Sequence, residues 1–319
     1  MVLYLSTLFE TIAGIALLIA SAFILTLTIE DIGKRGKFSD SFTGSVISPI
    51  FTSMPELVVI IVALVIIGGG SGSEIADGTI IGDPFMVSAI GFPIVALILL
   101  AARRKGNRDD LDAVLPKMFI FLGITFPIML VPFYFHLTAV RILVAVLLVF
   151  LYVIFLRLFI KGGGFVEEEP DIKIANSKLL ILVLILGIAL LLAGSTILVR
   201  GINSLAAEVN VNRELLSILI IPIGGIVPET MNSFIWASRG KTNLAIGALT
   251  GEELLFATFY PALGIITSQW VITHNGILAI GLTSSFSILV GLISYRFRGA
   301  FYVYILFFAS FIVFFLFIY

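Results

Sequence analysis

Residues 49–56 read Pro-Ile-Phe-Thr-Ser-Met-Pro-Glu, and residues 222–229 read Pro-Ile-Gly-Gly-Ile-Val-Pro-Glu. Pro-Glu occurs nowhere else in the chain, and four of the eight positions are identical. Both octets lie inside long apolar runs. A charged side chain at the centre of a bilayer costs on the order of 3 kcal/mol on insertion scales, so it faces the bundle interior and marks an ion pathway by default. Proline kinks alone explain neither Glu56 nor Glu229. The two octets read as one functional element present twice.

The surrounding composition gives that element its solvent. Of 319 residues, 60% are hydrophobic and 12% charged, against roughly 45–50% and about 25% in soluble domains. Apolar runs long enough for a hydrocarbon core of about 30 Å, which takes about 20 residues, fall near 7–29, 42–67, 79–101, 113–135 and 138–160. After a polar stretch at 161–177, others follow near 178–200, 214–237, 243–269, 271–293 and 301–318. The expected fold is an all-α integral membrane protein of ten transmembrane helices: a five-helix repeat (1–160), a cytoplasmic linker (161–177) and a second five-helix repeat (178–319). Five is odd, so the second repeat enters the membrane inverted, a recurring plan of secondary transporters with the site where the halves meet. The two octets occupy the second helix of each half.

Basic residues agree with this threading. Of 19 lysines and arginines, only Arg141, Arg200 and Arg213 fall on one side of the membrane; all the others fall on the opposite side. By the positive-inside rule the crowded side is cytoplasmic. Both termini are then extracytoplasmic, and the location is the cell membrane. The N-terminus shows neither a basic n-region nor a small-residue cleavage site, so the first helix is expected to be retained. A net charge of −1 gives no pull toward nucleic acid. The partners implied are lipid and cations, with the monomer as the working unit.

The chemistry of the two octets is that of hard oxygen ligands. A proline crowds the carbonyl four residues earlier and offers it no N–H, which frees the carbonyls of Phe51 and Gly224. Gly224 and Gly225 allow close backbone approach, and Thr52 and Ser53 add hydroxyls. With no cysteine and two histidines in the whole chain, Glu56, Glu229 and these oxygens make a hard-cation site. Calcium suits a flexible, carbonyl-rich set better than magnesium. Three further carboxylates sit in apolar runs: Asp83, some five residues into the third span, and Glu252 and Glu253 in the eighth. Successive helical residues point about 100° apart, so Glu252 and Glu253 aim at different places. Five carboxylates exceed what one Ca²⁺ neutralises, so either some are protonated or further cations bind.

Thr52-Ser53-Met54-Pro55-Glu56 resembles the Gly-Thr-Ser-x-Pro-Glu repeat signature of sodium/calcium exchangers, in the calcium:cation antiporter superfamily, and Pro228-Glu229 resembles its second copy. The resemblance covers nearly the whole chain. It implies that Glu56 and Glu229 ligate calcium, which alternating access carries across in exchange for sodium or protons. On this resemblance the chain looks like a divergent member. Phe51 replaces the first glycine of the signature, and Gly225-Ile226 stands where Thr-Ser is usual. The family's Gly-Asn-x-x-Gly-Ser-Asn stretches read Ile81-Gly82-Asp83-Pro84 and Gly247-Ala248-Leu249-Thr250-Gly251-Glu252-Glu253, with Gly82 set against Gly247.

The expected function is therefore a secondary antiporter exchanging Ca²⁺ for Na⁺ or H⁺, needing no cofactor. Glu56, Glu229, Thr52, Ser53, Phe51, Gly224 and Gly225 form the central site, and Asp83, Glu252 and Glu253 serve the coupling ions. The alternatives are a cation channel, which the internal repeat disfavours, or an antiporter for another divalent or monovalent cation. An enzyme would need a nucleophile or metal-bound water, and the sequence offers no convincing one. Glu74 and Asp77 fall in a glycine-rich external loop, Gly68–Gly78, His274 falls in another external loop, and the Phe-rich stretch from Phe301 to Phe317 reads as lipid-facing.

Overall fold

The computed structural model describes residues 2–35, 53–103, 114–161, 177–297 and 301–318. Among these there are helices and no strand. In lipid each backbone N–H and C=O must find a partner within the protein, and a helix supplies it locally.

The helices in chain order are α1 (Val2–Arg35), α2 (Met54–Val62), α3 (Gly69–Met86), α4 (Phe92–Arg103), α5 (Val114–Thr125) and α6 (Val131–Tyr134). They continue as α7 (Thr138–Lys161), α8 (Ser177–Val209), α9 (Arg213–Ser238), α10 (Thr242–Thr267), α11 (His274–Arg296) and α12 (Phe307–Phe317). Among the described residues, six helical stretches are long and apolar enough to cross a membrane: Leu5–Leu25, Gly69–Ala102, Val114–Tyr134, Thr138–Arg157, Lys178–Val209 and His274–Arg296. Met54–Ile67 and Tyr302–Phe317 are apolar but shorter. The chain is a multi-pass membrane protein.

Several turns of helix are wound irregularly. A π-helical turn, Ala63–Ile67, ends the α2 rod. Gly68 and Gly69, at φ 66° and 56°, then reverse the chain into α3, a conformation that costs glycine little. A second π turn, Val87–Gly91, joins α3 to α4. It follows Pro84, which lies inside α3 and removes one rung of the hydrogen-bond ladder.

Three expectations need correcting. The stretch 68–78 is not a loop: α3 begins at Gly69, and Asp77 within it is fully buried. Low helix propensity in a Gly-rich stretch misleads here, because tertiary packing against a neighbouring helix outweighs it. His274 opens α11 rather than lying in a loop. The last segment is only partly lipid-facing. Tyr304, Phe307 and Phe314 are fully buried, stacking on Phe85, Phe92 and Phe119, while Phe308, Phe315 and Phe317 are exposed.

The main packing partners are α1 with α8, α3 with α9, α5 with α11, and α7 with α10. Apolar side chains gain nothing over lipid tails, so close backbone approach at small residues holds such pairs together. A β-carbon added at Gly82 would stand 2.7 Å from Ile218 Cα, and one at Gly78 would stand 2.6 Å from the Glu214 carbonyl. These two glycines, one turn apart, seat α9 on α3 and set the depth at which their acidic side chains meet.

Candidate cation site

Ser53 stands at the N-cap of α2, with Pro55 and Glu56 in its first turn. Proline is pre-organised for that position, and the positive end of the helix dipole favours a carboxylate there. Glu56 is 2% exposed, and its Oε2 has no hydrogen-bond partner. Across the bundle, α9 presents Gly225 to it: a β-carbon at Gly225 would fall on Glu56 Oε1. The glycine expected to admit an ion instead admits the carboxylate itself. Gly224, by contrast, faces Leu18 of α1, 3.5 Å from where its β-carbon would be. Within α9 the prolines at 222 and 228 do not break the helix, which runs unbroken to Ser238.

The sequence puts Asp83 some five residues into its span. It sits instead well along the 34-residue rod Gly69–Ala102 and is 1% exposed. Neither of its oxygens has a hydrogen-bond partner. Glu56 and Glu252 both lie within Coulombic reach of it, so α2, α3 and α10 bring one carboxylate each to the same region.

The two acids of α10 diverge, as their spacing requires. Glu252 lies within Coulombic reach of Asp83. Glu253, 1% exposed, accepts a hydrogen bond from Ser88 Oγ in the second π turn. Beside the register that sets Gly82 against Gly247, the sequence offers a second one. Gly78-x-x-x-Gly82-Asp83 and Gly247-x-x-x-Gly251-Glu252 share glycines at both ends and an acid after the second.

Two participants escaped the sequence reading. The Tyr260 hydroxyl, from α10, lies 2.9 Å from the Ser53 carbonyl and 2.8 Å from Ser53 Oγ, pinning the start of α2. Ser88 is the other. A lone tyrosine hydroxyl or serine in an apolar run is the only signal that either leaves in the sequence. Phe51 and Thr52 lie outside the described residues, as does the side chain of Glu229, whose backbone belongs to α9. Among the described residues no three acidic or imidazole side chains converge tightly enough to hold one metal ion.

The sodium/calcium exchanger protein family model matches residues 7–161 and 179–319. The chain belongs to that family. It is 35% identical over 89 residues to the putative antiporter CaxA of Alkalimonas amylolytica, a match covering 28% of each protein. The match thus spans well under half of that relative's length. A solved H⁺/Ca²⁺ exchanger, CAX, has the same fold at TM-score 0.69 and 15% identity, over 96% of this chain and 86% of the other. The sodium-calcium exchanger NCX_Mj aligns at TM-score 0.59 and 18% identity, over 97% and 98%. At these identities the likeness is one of fold.

The matched family is one of ion exchangers rather than enzymes. Within that frame the donor set is consistent. Carboxylates, hydroxyls and backbone carbonyls suit hard cations, and buried acids attract them only while no basic side chain sits among them. The helices that carry Glu56, Asp83 and Glu252, α2, α3 and α10, contain no lysine or arginine.

Proposed function

We propose that this exchanger moves Ca²⁺ across the cell membrane against Na⁺ or H⁺ by alternating access, with Ca²⁺ as cargo and no cofactor. One observation carries the reading: Glu56 Oε2 and both oxygens of Asp83 are buried without hydrogen-bond partners, beside Glu252. Such groups are costly unless a cation or proton meets them. Glu56 and Glu229 form the central ligand pair, with Ser53, Thr52 and the Phe51 and Gly224 carbonyls. Gly225 seats the Glu56 carboxylate. Asp83, Glu252 and Glu253 handle the coupling ion. The carboxylates bind either the divalent ion or its replacements, and that competition couples the two fluxes.

The architecture behind this reading is ten membrane helices in two inverted repeats, 1–160 and 178–319, joined by a cytoplasmic linker, with both termini extracytoplasmic and the monomer as the working unit. The separate family matches on either side of residues 162–178 support it. So does the packing pattern. If α8 repeats α1 and α11 repeats α5, the contacts α1–α8 and α5–α11 each join equivalent helices, while α7–α10 has its counterpart where α12 meets the α3–α4 rod.

The test is reconstitution in liposomes with ⁴⁵Ca²⁺ uptake measured under an outward Na⁺ gradient and, separately, an outward H⁺ gradient. Uptake under one gradient, lost in Glu56→Gln and Glu229→Gln, is the expected result and names the coupling ion. Uptake that needs neither gradient would point to a channel. Silence under both would move the assignment to another cation.

A further inference from the structure

A second pair of buried acids lies away from the central group, at the end of the bundle that carries Arg141 and Arg213. Asp77 of α3 and Glu214 in the first turn of α9 are both 0% exposed. They come together because Gly78 lets the Glu214 backbone approach α3. Glu214 Oε2 accepts a hydrogen bond from the Thr273 N–H at 2.9 Å, while Glu214 Oε1 and both oxygens of Asp77 lack a partner in good hydrogen-bond geometry; the Ser268 side chain and the Val271 N–H approach Asp77 more loosely. Asp77 is flanked by Ser268 and the backbone of Val271, and the charges of Glu214 and Arg141 reach it. Those of Glu214 and Glu74 act on each other.

The connector at 268–273 covers this pair and is fastened from several sides. Arg141 donates to the carbonyls of Ile265, Ser268 and Gln269. Trp270, 2% exposed, donates its ring N–H to the Met129 carbonyl at 2.9 Å and its backbone N–H to Ser268 Oγ at 2.9 Å. The Gln269 N–H reaches Ser73 Oγ at 3.1 Å. Trp270 is thus one hydrogen bond from Ser268, which lies beside Asp77.

Charge and ligand number narrow what such a pair takes. Two carboxylates carry two negative charges, and Arg141 supplies one positive charge nearby. Arg213 is directed to Glu74, at 3.7 Å, and to Asn203 Oδ1, at 2.6 Å. His274, exposed at the start of α11, follows Thr273 in sequence. One negative charge is left over. A calcium ion takes six to eight oxygens, whereas here Arg141 already engages the nearest connector carbonyls.

We propose that Asp77 and Glu214 form a second site, separate from the Glu56 group, that takes up one monovalent cation, a proton or Na⁺, at the extracytoplasmic end of the bundle. The proposal rests on the antiport reading and makes this pair the outer station for the coupling ion. Asp77 and Asp83 are six residues apart on α3, a rise of about 9 Å along the helix axis, so the station stands on the approach to the centre.

Trp270 supplies a readout that does not depend on transport. The chain has two tryptophans, so Trp236→Phe leaves Trp270 as sole reporter. In the purified full chain, its emission is titrated with NaCl against choline chloride at fixed pH, and with pH in choline buffer. A saturable change is expected in one arm, which separates Na⁺ from H⁺. Asp77→Asn and Glu214→Gln should abolish it, and Asp77→Glu should keep it. In liposomes the same two variants should lose at least tenfold in gradient-driven Ca²⁺ uptake while retaining Ca²⁺/Ca²⁺ exchange at equal concentrations. An unchanged Trp270 titration in both variants overturns the site, whatever transport does. Loss of both transport modes to the same degree as in Glu56→Gln overturns its separateness. A Trp270 response that depends on Asp77 and Glu214, beside wild-type silence in all Ca²⁺ assays, would keep the site and overturn the antiport reading.

Discussion

The Glu56 carboxylate occupies the place where a β-carbon on Gly225 would stand. The contact joins the first turn of α2 to the middle of α9, so two proline-marked helices interlock at a side chain and a bare backbone. The missing Thr-Ser of the second motif has a physical counterpart here. A residue with a side chain at 225 would evict the carboxylate from its seat.

Gly225→Ala is therefore expected to cut Ca²⁺ uptake by roughly tenfold or more, since overpacking of this kind costs about 1–3 kcal/mol. The protein should still reach the membrane and run as a monodisperse peak. Near wild-type uptake in Gly225→Ala vesicles would mean that Glu56 is free to sit elsewhere.

Neutralising Asp83 should affect stability and ion response in opposite directions. Its two oxygens are buried without hydrogen-bond partners and lie within Coulombic reach of Glu56 and Glu252, which is costly while no cation is bound. Asp83→Asn removes a like charge, so the apparent Tm in chelator should rise by several degrees. Saturating cation adds about 2.7 kcal/mol at a hundred times Kd, and the variant should lose most of that increment. Thermal unfolding in chelator, with and without NaCl and across pH, reads both effects. A lower Tm in chelator would contradict the prediction.

The sequence displays the paired Pro-Glu motifs, the membrane setting and the divergence of Glu252 from Glu253, because each depends on local spacing. It does not display the burial of Asp77 or the depth of Asp83. Both follow from α3 starting at Gly69, which in turn follows from α9 seating itself on Gly78 and Gly82. Glycines that weaken a helix in isolation become its contact surface in the bundle. Tyr260 and Ser88 are likewise invisible without the fold, since Ser53 and Glu253 lie far from them in the chain.

The glycine seats can be tested against an internal control. At Gly82 an added β-carbon would stand 2.7 Å from the Ile218 backbone, whereas at Gly281 it meets nothing within 4 Å. Gly82→Ala should destabilise by about 1–3 kcal/mol and shift α9 relative to α3, with loss of transport. Gly281→Ala should be neutral or stabilise by roughly 0.5–1 kcal/mol. Thermal unfolding and uptake measured on both variants compare the two; equal effects would remove the packing argument.

The Tyr260 hydroxyl tethers the start of α2 through Ser53. Tyr260→Phe keeps the ring and its stacking on Phe256 but deletes the tether, a loss of about 0.5–1.5 kcal/mol. A loosened Ser53 and Glu56 should weaken Ca²⁺ binding by roughly three- to tenfold, with little change in maximal rate. Uptake against external Ca²⁺ separates the two quantities, and a fall in rate at unchanged KM would assign Tyr260 to the conformational change instead.

Ser88 and Glu253 offer a sharper test, because two roles for Glu253 predict different couplings. Ser88 Oγ donates to a carboxylate that is 1% exposed and whose Oε2 is otherwise unpartnered. Ser88→Ala alone strands that carboxylate, at a cost of about 1–3 kcal/mol or more for a charged group. Adding Glu253→Gln removes the stranded charge, so the double variant should be more stable than Ser88→Ala, a non-additive cycle of the kind expected for touching residues. If the pair only braces α10 against the second π turn, Ca²⁺ and coupling-ion dependence stay as in wild type once stability is restored. If Glu253 carries the coupling ion, Glu253→Gln shifts the Na⁺ or pH dependence of uptake whether Ser88 is present or not. Stability and ion dependence, measured on the four proteins of the cycle, separate the brace from the carrier.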